Sequence, residues 1–414
     1  MLRASSTSLV GLVALAAVAS ACSSSSSGGT PSSNSSSTTS AAGTITVGLL
    51  TDVTGTAASG ENNVQDGVKA GIYVAKQDGY NIKYVVGDTT STPAGALAAA
   101  QKLVNQDHVN VVLASSAMTF GAAQFLAQKQ VPVVGAAIDG PEWVSAPNMV
   151  SVAGPIDTTK VTTVGGNFFK TVGATNVGSL GYGVSPTSSE SAKATAISVQ
   201  AVGLKAGYTN AKLAFGSTDV QPIALAMKQA GVDALAPQVD PNTSFALVGA
   251  LAQLGVKIKA VLLPIGYGGD LLNAGAAALQ AAQGAYFIIY FEPVEMNTPG
   301  TQKFLAALSA VGGTQHPGLP TYTGYTSILL LEAALKTAGA NPSNTALITA
   351  LRGVTNFDAG GLTSKPYTPS DPSNVAGPNN CYYVVQLEGD KFNVVKGLDP
   401  VCGTVIAGKT VSAG

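Results

Sequence analysis

The groups in this 414-residue chain that could do acid–base, nucleophilic or metal chemistry are few and scattered: 2 histidines, 3 cysteines and 22 acidic residues. His108 stands just before an apolar run and His316 lies in a His-Pro-Gly turn. Neither has a pair of carboxylates beside it, so no general base is assembled, and each reads as a surface or capping residue. No Gly-x-Ser-x-Gly elbow is present to expose a nucleophilic serine. His, Cys, Asp and Glu nowhere cluster at metal-ligand spacing, which speaks against a metal receptor. The turn after the first apolar run reads TDVTGTAASG rather than Gly-x-Gly-x-x-Gly, so no dinucleotide and no other cofactor is implied. Without catalytic machinery, the chemistry left to the chain is non-covalent binding.

The cysteines have other uses. Arg3, the apolar stretch Leu9 to Val18 and the small residues Ala19, Ser20 and Ala21 precede Cys22. The apolar stretch has the length of a secretory core and is too short to span a bilayer. This order resembles the lipobox of bacterial lipoproteins, departing from it at Ala19, where Leu is more usual. It implies a signal peptide over residues 1–21 and a lipid anchor at Cys22; the alternative is an ordinary signal peptide cleaved before an incidental cysteine. In either case the chain is exported. Residues 22–43 then form a Ser-rich tether that cannot bury enough apolar surface to fold, with a random-coil reach of about 25 Å. Cys381 and Cys402 flank a hairpin pattern, YYVVQLEGDKFNVV, and in an exported chain they are expected to form a disulfide. A net charge of −1 with 10% charged residues gives no footprint for nucleic acid.

The elements that must position a binding site repeat on a schedule. TITVGLL, IKYVVGD, VNVVLAS and VPVVGAA read as strands, alternating with helix candidates VQDGVKAGIYVAKQ, PAGALAAAQKLVNQ and TFGAAQFLAQKQ. Near-continuous apolar strands separated by helices mean a parallel sheet covered on both faces. A second series follows, with strands NVGSLGY, AKLAFG, DALAPQ, KAVLLPI and AYFIIY, and with helices that include SESAKATAISVQAVGLKAG. Three helical segments between residues 299 and 354 lack strands of their own and predict a return to the first sheet.

Over residues 44 to about 150 the chain resembles the periplasmic solute-binding proteins of branched-chain amino acid ABC transporters (the Leu/Ile/Val-binding type). The shared features are a Thr-Gly loop after the first strand, Asp-x-x-x-x-Pro at the end of the second, a helix ending Lys-Leu-Val, and the Ser115-Ser116 loop. The resemblance implies an α/β fold of two Rossmann-like, doubly wound lobes joined by three crossovers. Lobe one would take 44–157 and 292–360, and lobe two 158–291 and 361–414. It further implies a monomeric receptor held at the outer face of a bacterial membrane, with a small solute and an ABC permease as partners.

In such sheets a ligand lies beyond the carboxyl ends of the strands, against helix N-termini. By resemblance, Ser115 or Ser116 would donate to a ligand carboxylate, with Ala137 and Asp139 lining the same pocket; the bland alternative for the serines is helix capping. Facing loops of the second lobe offer Tyr182, Ser188, Asp240 and Tyr267, although any of 13 tyrosines can serve as ordinary packing. The resemblance also predicts an acid for the ligand ammonium where this chain has Ile265 and Gly266. Either Asp139 or Asp240 substitutes for it, or the ligand has no ammonium. The function expected is capture of an amino acid or related small carboxylate or amide for import. A lipid-anchored sensor of the same fold is the alternative, and a hydrolase a more distant one.

Overall fold

A computed structural model describes residues 43–413 other than 62, 139 and 274. The signal, Cys22, most of the tether and Asp139 therefore lie outside the described residues.

The chain begins with a βα series: β1 (Thr44–Thr51), α1 (Val64–Gln77), β2 (Asn81–Asp88), α2 (Pro93–Asn105), β3 (Val111–Ser115), α3 (Phe120–Gln128), β4 (Val133–Gly135), α4 (Glu142–Ser145) and β5 (Met149–Ser151). The five strands pair in parallel in the order β2-β1-β3-β4-β5. Every residue of β3 is buried, because helices cover both faces and a central strand has no wet side.

After a first crossing come β6 (Lys160–Thr162), α5 (Val164–Thr171), β7 (Asn176–Tyr182), α6 (Pro186–Ala201), β8 (Lys205–Leu213), α7 (Gln221–Gln229), β9 (Ala234–Gln238), α8 (Pro241–Gln253), β10 (Ala260–Leu263), α9 (Gly269–Leu272), α10 (Ala276–Ala281) and β11 (Tyr286–Ile289). A second crossing leads to α11 (Pro299–Ala310), α12 (Leu319–Ala338) and α13 (Asn344–Arg352), and a third to β12 (Cys381–Glu388), β13 (Lys391–Val394), β14 (Val401–Cys402) and β15 (Val405–Thr410). The second sheet runs β13-β12-β11-β10-β9-β7-β8, with β14 also paired to β12. Its β7 to β11 portion is parallel and the β12 hairpin antiparallel. The fold is thus α/β, with two doubly wound lobes and three connections between them.

The helices without strands return to the first lobe, and glycine is the reason they fit. A Cβ on Gly67 of α1 would lie 1.9 Å from the Thr321 carbonyl oxygen of α12, and one on Gly324 of α12 would lie 2.4 Å from that of Val64. The two helix backbones touch where neither has a side chain. Helix α12 buries 14 of its 20 residues there.

Three features differ from the sequence expectation. The helix expected from 189 to 207 ends at Ala201: Gly203, at φ 89°, turns the chain so that the Leu204 amide donates to Val199, and Lys205 already begins β8. Of the expected strand AKLAFG only Ala211–Leu213 are extended, as the tail of that longer strand, most of whose residues are exposed or half-buried. The boundary expected at 361 falls inside a segment that still holds to lobe one and the crossings: Glu292 N–H donates to the Leu362 carbonyl, the Tyr367 hydroxyl to Val152, and Ile156 N–H to Asn374. The chain end then runs back to the first crossing, where β15 pairs antiparallel with β6.

Cys381 and Cys402 are joined by a disulfide, 21 residues apart in sequence and opposite each other in the β12–β14 ladder. No described helix is long and apolar enough to cross a membrane.

Candidate functional site

The carboxyl ends of β1, β2 and β3 are tied by one buried acid. Asp52 follows β1 and is 2% exposed. It accepts from Thr89 Oγ1 after β2, from Ser116 Oγ at 2.9 Å and from the Ala117 amide at 2.8 Å after β3. Burial pushes the Asp52 carboxyl above its ordinary value, against these three donors. Ser116 Oγ also accepts from the Met118 amide at 3.0 Å. Ser116 is therefore framework and does not line the cleft, whereas Ser115 does. Successive side chains of a strand point to opposite faces, so only one of two adjacent serines can look outward.

Ser115 Oγ does not await a ligand carboxylate. It donates to Glu61 Oε2 at 2.5 Å. Glu61 ends a 3-10 turn, Ala58–Glu61, in the loop after β1. That loop is pinned from the side: Asp88 accepts from the Val53 and Thr54 amides and from Thr54 Oγ1, and Ser91 Oγ accepts from the Ala57 amide. Ala137 also lines the cleft, its amide donating to Ser151 Oγ at 3.2 Å.

In lobe two, β7 delivers Tyr182 to the opposite wall. Its amide donates to Ser188 Oγ at 2.8 Å, and its hydroxyl meets Asp240 Oδ2 and, at 2.9 Å, Thr243 Oγ1. Asp240 caps α8, accepting from the Asn242 and Thr243 amides at 2.8 and 3.1 Å. Burial, and the Asp240 carboxyl that accepts a hydrogen bond from its hydroxyl, push the Tyr182 phenol well up. Its ring meets Phe215 edge to face at 4.9 Å. Tyr267, expected in the cleft, is elsewhere. It is 1% exposed, its ring packs on Phe392 at 5.0 Å, and its hydroxyl donates to Glu295 at 2.6 Å. Ile265 does line the cleft, as an apolar wall where an acid was expected.

The cleft between these walls has about 1270 Å³ of empty space, its open mouth included. Both lobes and the crossings contribute, the crossings through Ile156, Thr158, Tyr290 and Phe291. The lobes meet around it: Thr187 Oγ1 donates to the Gly140 carbonyl at 3.4 Å, and Phe215 packs against the hydrophobic core of lobe one. Among the described residues that line it, the charged ones are Glu61 and Asp240, and none is Lys, Arg or His. Sequence reasoning places Asp240 at the cleft and misses Glu61, Phe215 and the start of α12. The turn it reads after the first strand, TDVTGTAASG, ends one residue before Glu61. Among the described residues no group of three or more His, Cys, Asp and Glu could hold a metal ion.

Comparison with known proteins agrees with this architecture. A solute-binding protein of an ABC transporter from Rhodopseudomonas palustris, in complex with 4-hydroxybenzoate, superposes with TM-score 0.69 at 18% identity, over 85% of this chain and 96% of the other. A leucine-binding protein from Thermotoga maritima gives 0.69 at 17% identity, over 85% and 97%. A second R. palustris solute-binding protein, in complex with benzoate, gives 0.68 at 18%, over 89% and 99%. At such identities the likeness is one of fold. No curated protein matches the sequence. The family model described as periplasmic binding protein matches residues 44–391, and so the chain belongs to that extracytoplasmic family, as a solute-binding protein and not an enzyme.

Proposed function

We propose that the chain is the receptor of an ABC importer: anchored by lipid at Cys22, it encloses one small solute, an amino acid or a related compound, between its lobes and delivers it to a membrane permease. The observation that carries this reading is the cleft itself, a space of ligand size walled by both lobes and by the crossings. Relatives of this fold have been solved with 4-hydroxybenzoate and benzoate, and another is named for leucine, so the scaffold admits solutes of that size.

The test is a thermal-shift screen of amino acids, amines, amides and aromatic acids on the full chain, because a solute that binds only the folded state raises its melting temperature. Uptake of the hit by cells should then fall on deletion of the chain. Undiminished uptake with altered gene expression would favour the sensor. Movement of Cys22→Ala from the membrane fraction to the soluble one tests the anchor.

A further inference from the structure

We infer that closure of the cleft is linked to a proton: Asp270 lies at a further seam between the lobes, holds a proton while the seam is shut, and gives it up to water when the lobes part. This regulation rests on the proposal that the interlobe cleft is the binding site. Its basis is an acid without a partner. Both carboxyl oxygens of Asp270 are buried, and neither meets a donor among the described residues. A carboxylate so desolvated, with no donor and no counter-charge, is too costly to keep ionised, so in this arrangement the group is a neutral acid. Burial alone pushes its carboxyl well above the ordinary 3.8.

Glycines bring the lobes together beside that acid. In lobe two the chain after β10 includes Gly268-Gly269-Asp270, and in lobe one the segment before α12 reads His316-Pro317-Gly318. The Gly269 amide donates to the His316 carbonyl at 2.7 Å. A Cβ on Gly268 would stand 2.3 Å from the Pro317 carbonyl oxygen, and one on Gly318 would stand 2.6 Å from that of Tyr267 and 2.9 Å from Asp270 Oδ2. Backbone thus meets backbone across the seam, and carbonyl oxygens accept but cannot donate. The titratable groups of the elements packed there are engaged elsewhere. Tyr267 donates to Glu295, Tyr322 to the Glu292 carbonyl, and Ser115 to Glu61. Asp66 accepts from the Thr314 amide and pairs with Lys69, while His316 is exposed and gives the seam its carbonyl. Parting the lobes hydrates the Asp270 carboxyl and returns it towards 3.8. Closing therefore takes up a proton at any pH between that value and the raised one. The shut form is favoured most below the lower value; above it the shut-to-open ratio falls about tenfold per pH unit, and levels off once pH passes the raised value.

The experiment is X-ray scattering and hydrogen exchange on the full chain between about pH 5 and pH 9, without added solute. The parent should expand as pH rises, with its far-ultraviolet circular dichroism unchanged, and the Gly269 amide should lose at least about tenfold of its exchange protection. Asp270→Asn, which has no proton to lose, should be as compact at the upper pH as the parent at the lower, and should keep that protection. Glu142→Gln, which removes another buried acid that meets no donor from another residue, should expand as the parent does. The exchange measurement on the parent decides even where Asp270→Asn fails to fold. A radius of gyration and a Gly269 protection that do not change with pH, or that change equally in Asp270→Asn, would overturn the inference. Calcium that keeps the parent compact at the upper pH would mean that a cation, not a proton, fills the seam, and would overturn it too. None of these outcomes touches the cleft reading, which stands or falls with the thermal-shift screen.

Discussion

Ser115 and Ser116 are neighbours in sequence with opposite duties, and the difference can be measured. Ser116 is tied to Asp52 and the Met118 amide beneath the site, so Ser116→Ala leaves a buried carboxylate and a buried amide each short of a partner. It should lower stability by about 1–3 kcal/mol. Ser115→Ala removes the donor that aims Glu61, and should weaken solute binding about tenfold while costing less stability. Denaturant unfolding and calorimetry on both variants check this; the reverse pattern would mean that the serines' roles are exchanged. Glu142 offers a second test. Its side chain is buried, 5% of the residue being exposed, and neither carboxyl oxygen meets a donor from another residue. Burial pushes it from its ordinary 4.5 to about 7. The folded state therefore holds a proton that the unfolded chain has lost. The group's contribution is best below pH 4.5, declines as pH rises towards 7, and is flat above, with roughly 3 kcal/mol lost in all. Glu142→Gln should be up to that much more stable than the parent at pH 8 and about equal at pH 4; an equal difference at both pH values would contradict burial of an ionisable carboxyl as the cause.

Elements differ in how much of themselves they show in the sequence. Helix α1 spans Val64–Gln77, the same residues its apolar spacing marks, because one face is buried and the other wet. Strands β1 and β3 show as apolar runs because both their faces are covered. By contrast β8 is an edge strand of half-exposed residues, and β6 and β15 are short strands that pair across more than 240 residues, so no local pattern marks them. The site follows the same rule: Ser115 and Tyr182 sit at strand ends and are legible, while Glu61 depends on a loop pinned by Asp88 and Ser91, a tertiary matter. The last hairpin is where a local and a long-range constraint coincide. The disulfide joins residues already opposed in the β12–β14 ladder and closes a loop of 21 residues. In the chain-entropy account such a loop is worth about 3 kcal/mol. Cys381→Ser should therefore lose up to that amount in denaturant unfolding, and no loss would mean that strand pairing alone holds β14 in place.

Closure belongs to no single element. If the lobes close over a solute, as proposed, the loop after β8, in lobe two, meets the loop after β1, in lobe one, and the fit between them is close: a Cβ on Gly216 would stand 2.7 Å from Thr56 Cγ2. That distance places a steric limit on the cleft mouth, since atoms so near cannot be accommodated without movement. Gly216→Val should hold the lobes apart, weaken solute binding at least about tenfold, and leave the solute-saturated protein with a larger radius of gyration than the parent. Gly216 has φ 69°, so any side chain also strains its own loop. That cost is local and independent of the other lobe. Thr56→Gly removes the facing methyl and leaves the strain untouched. If the clash between lobes is what opposes closure, the double variant should bind better than Gly216→Val alone, with a coupling of about 1 kcal/mol or more. If instead the two substitutions simply add, Gly216→Val acts through its own loop, and the closing surface lies deeper, at Thr187 against Gly140.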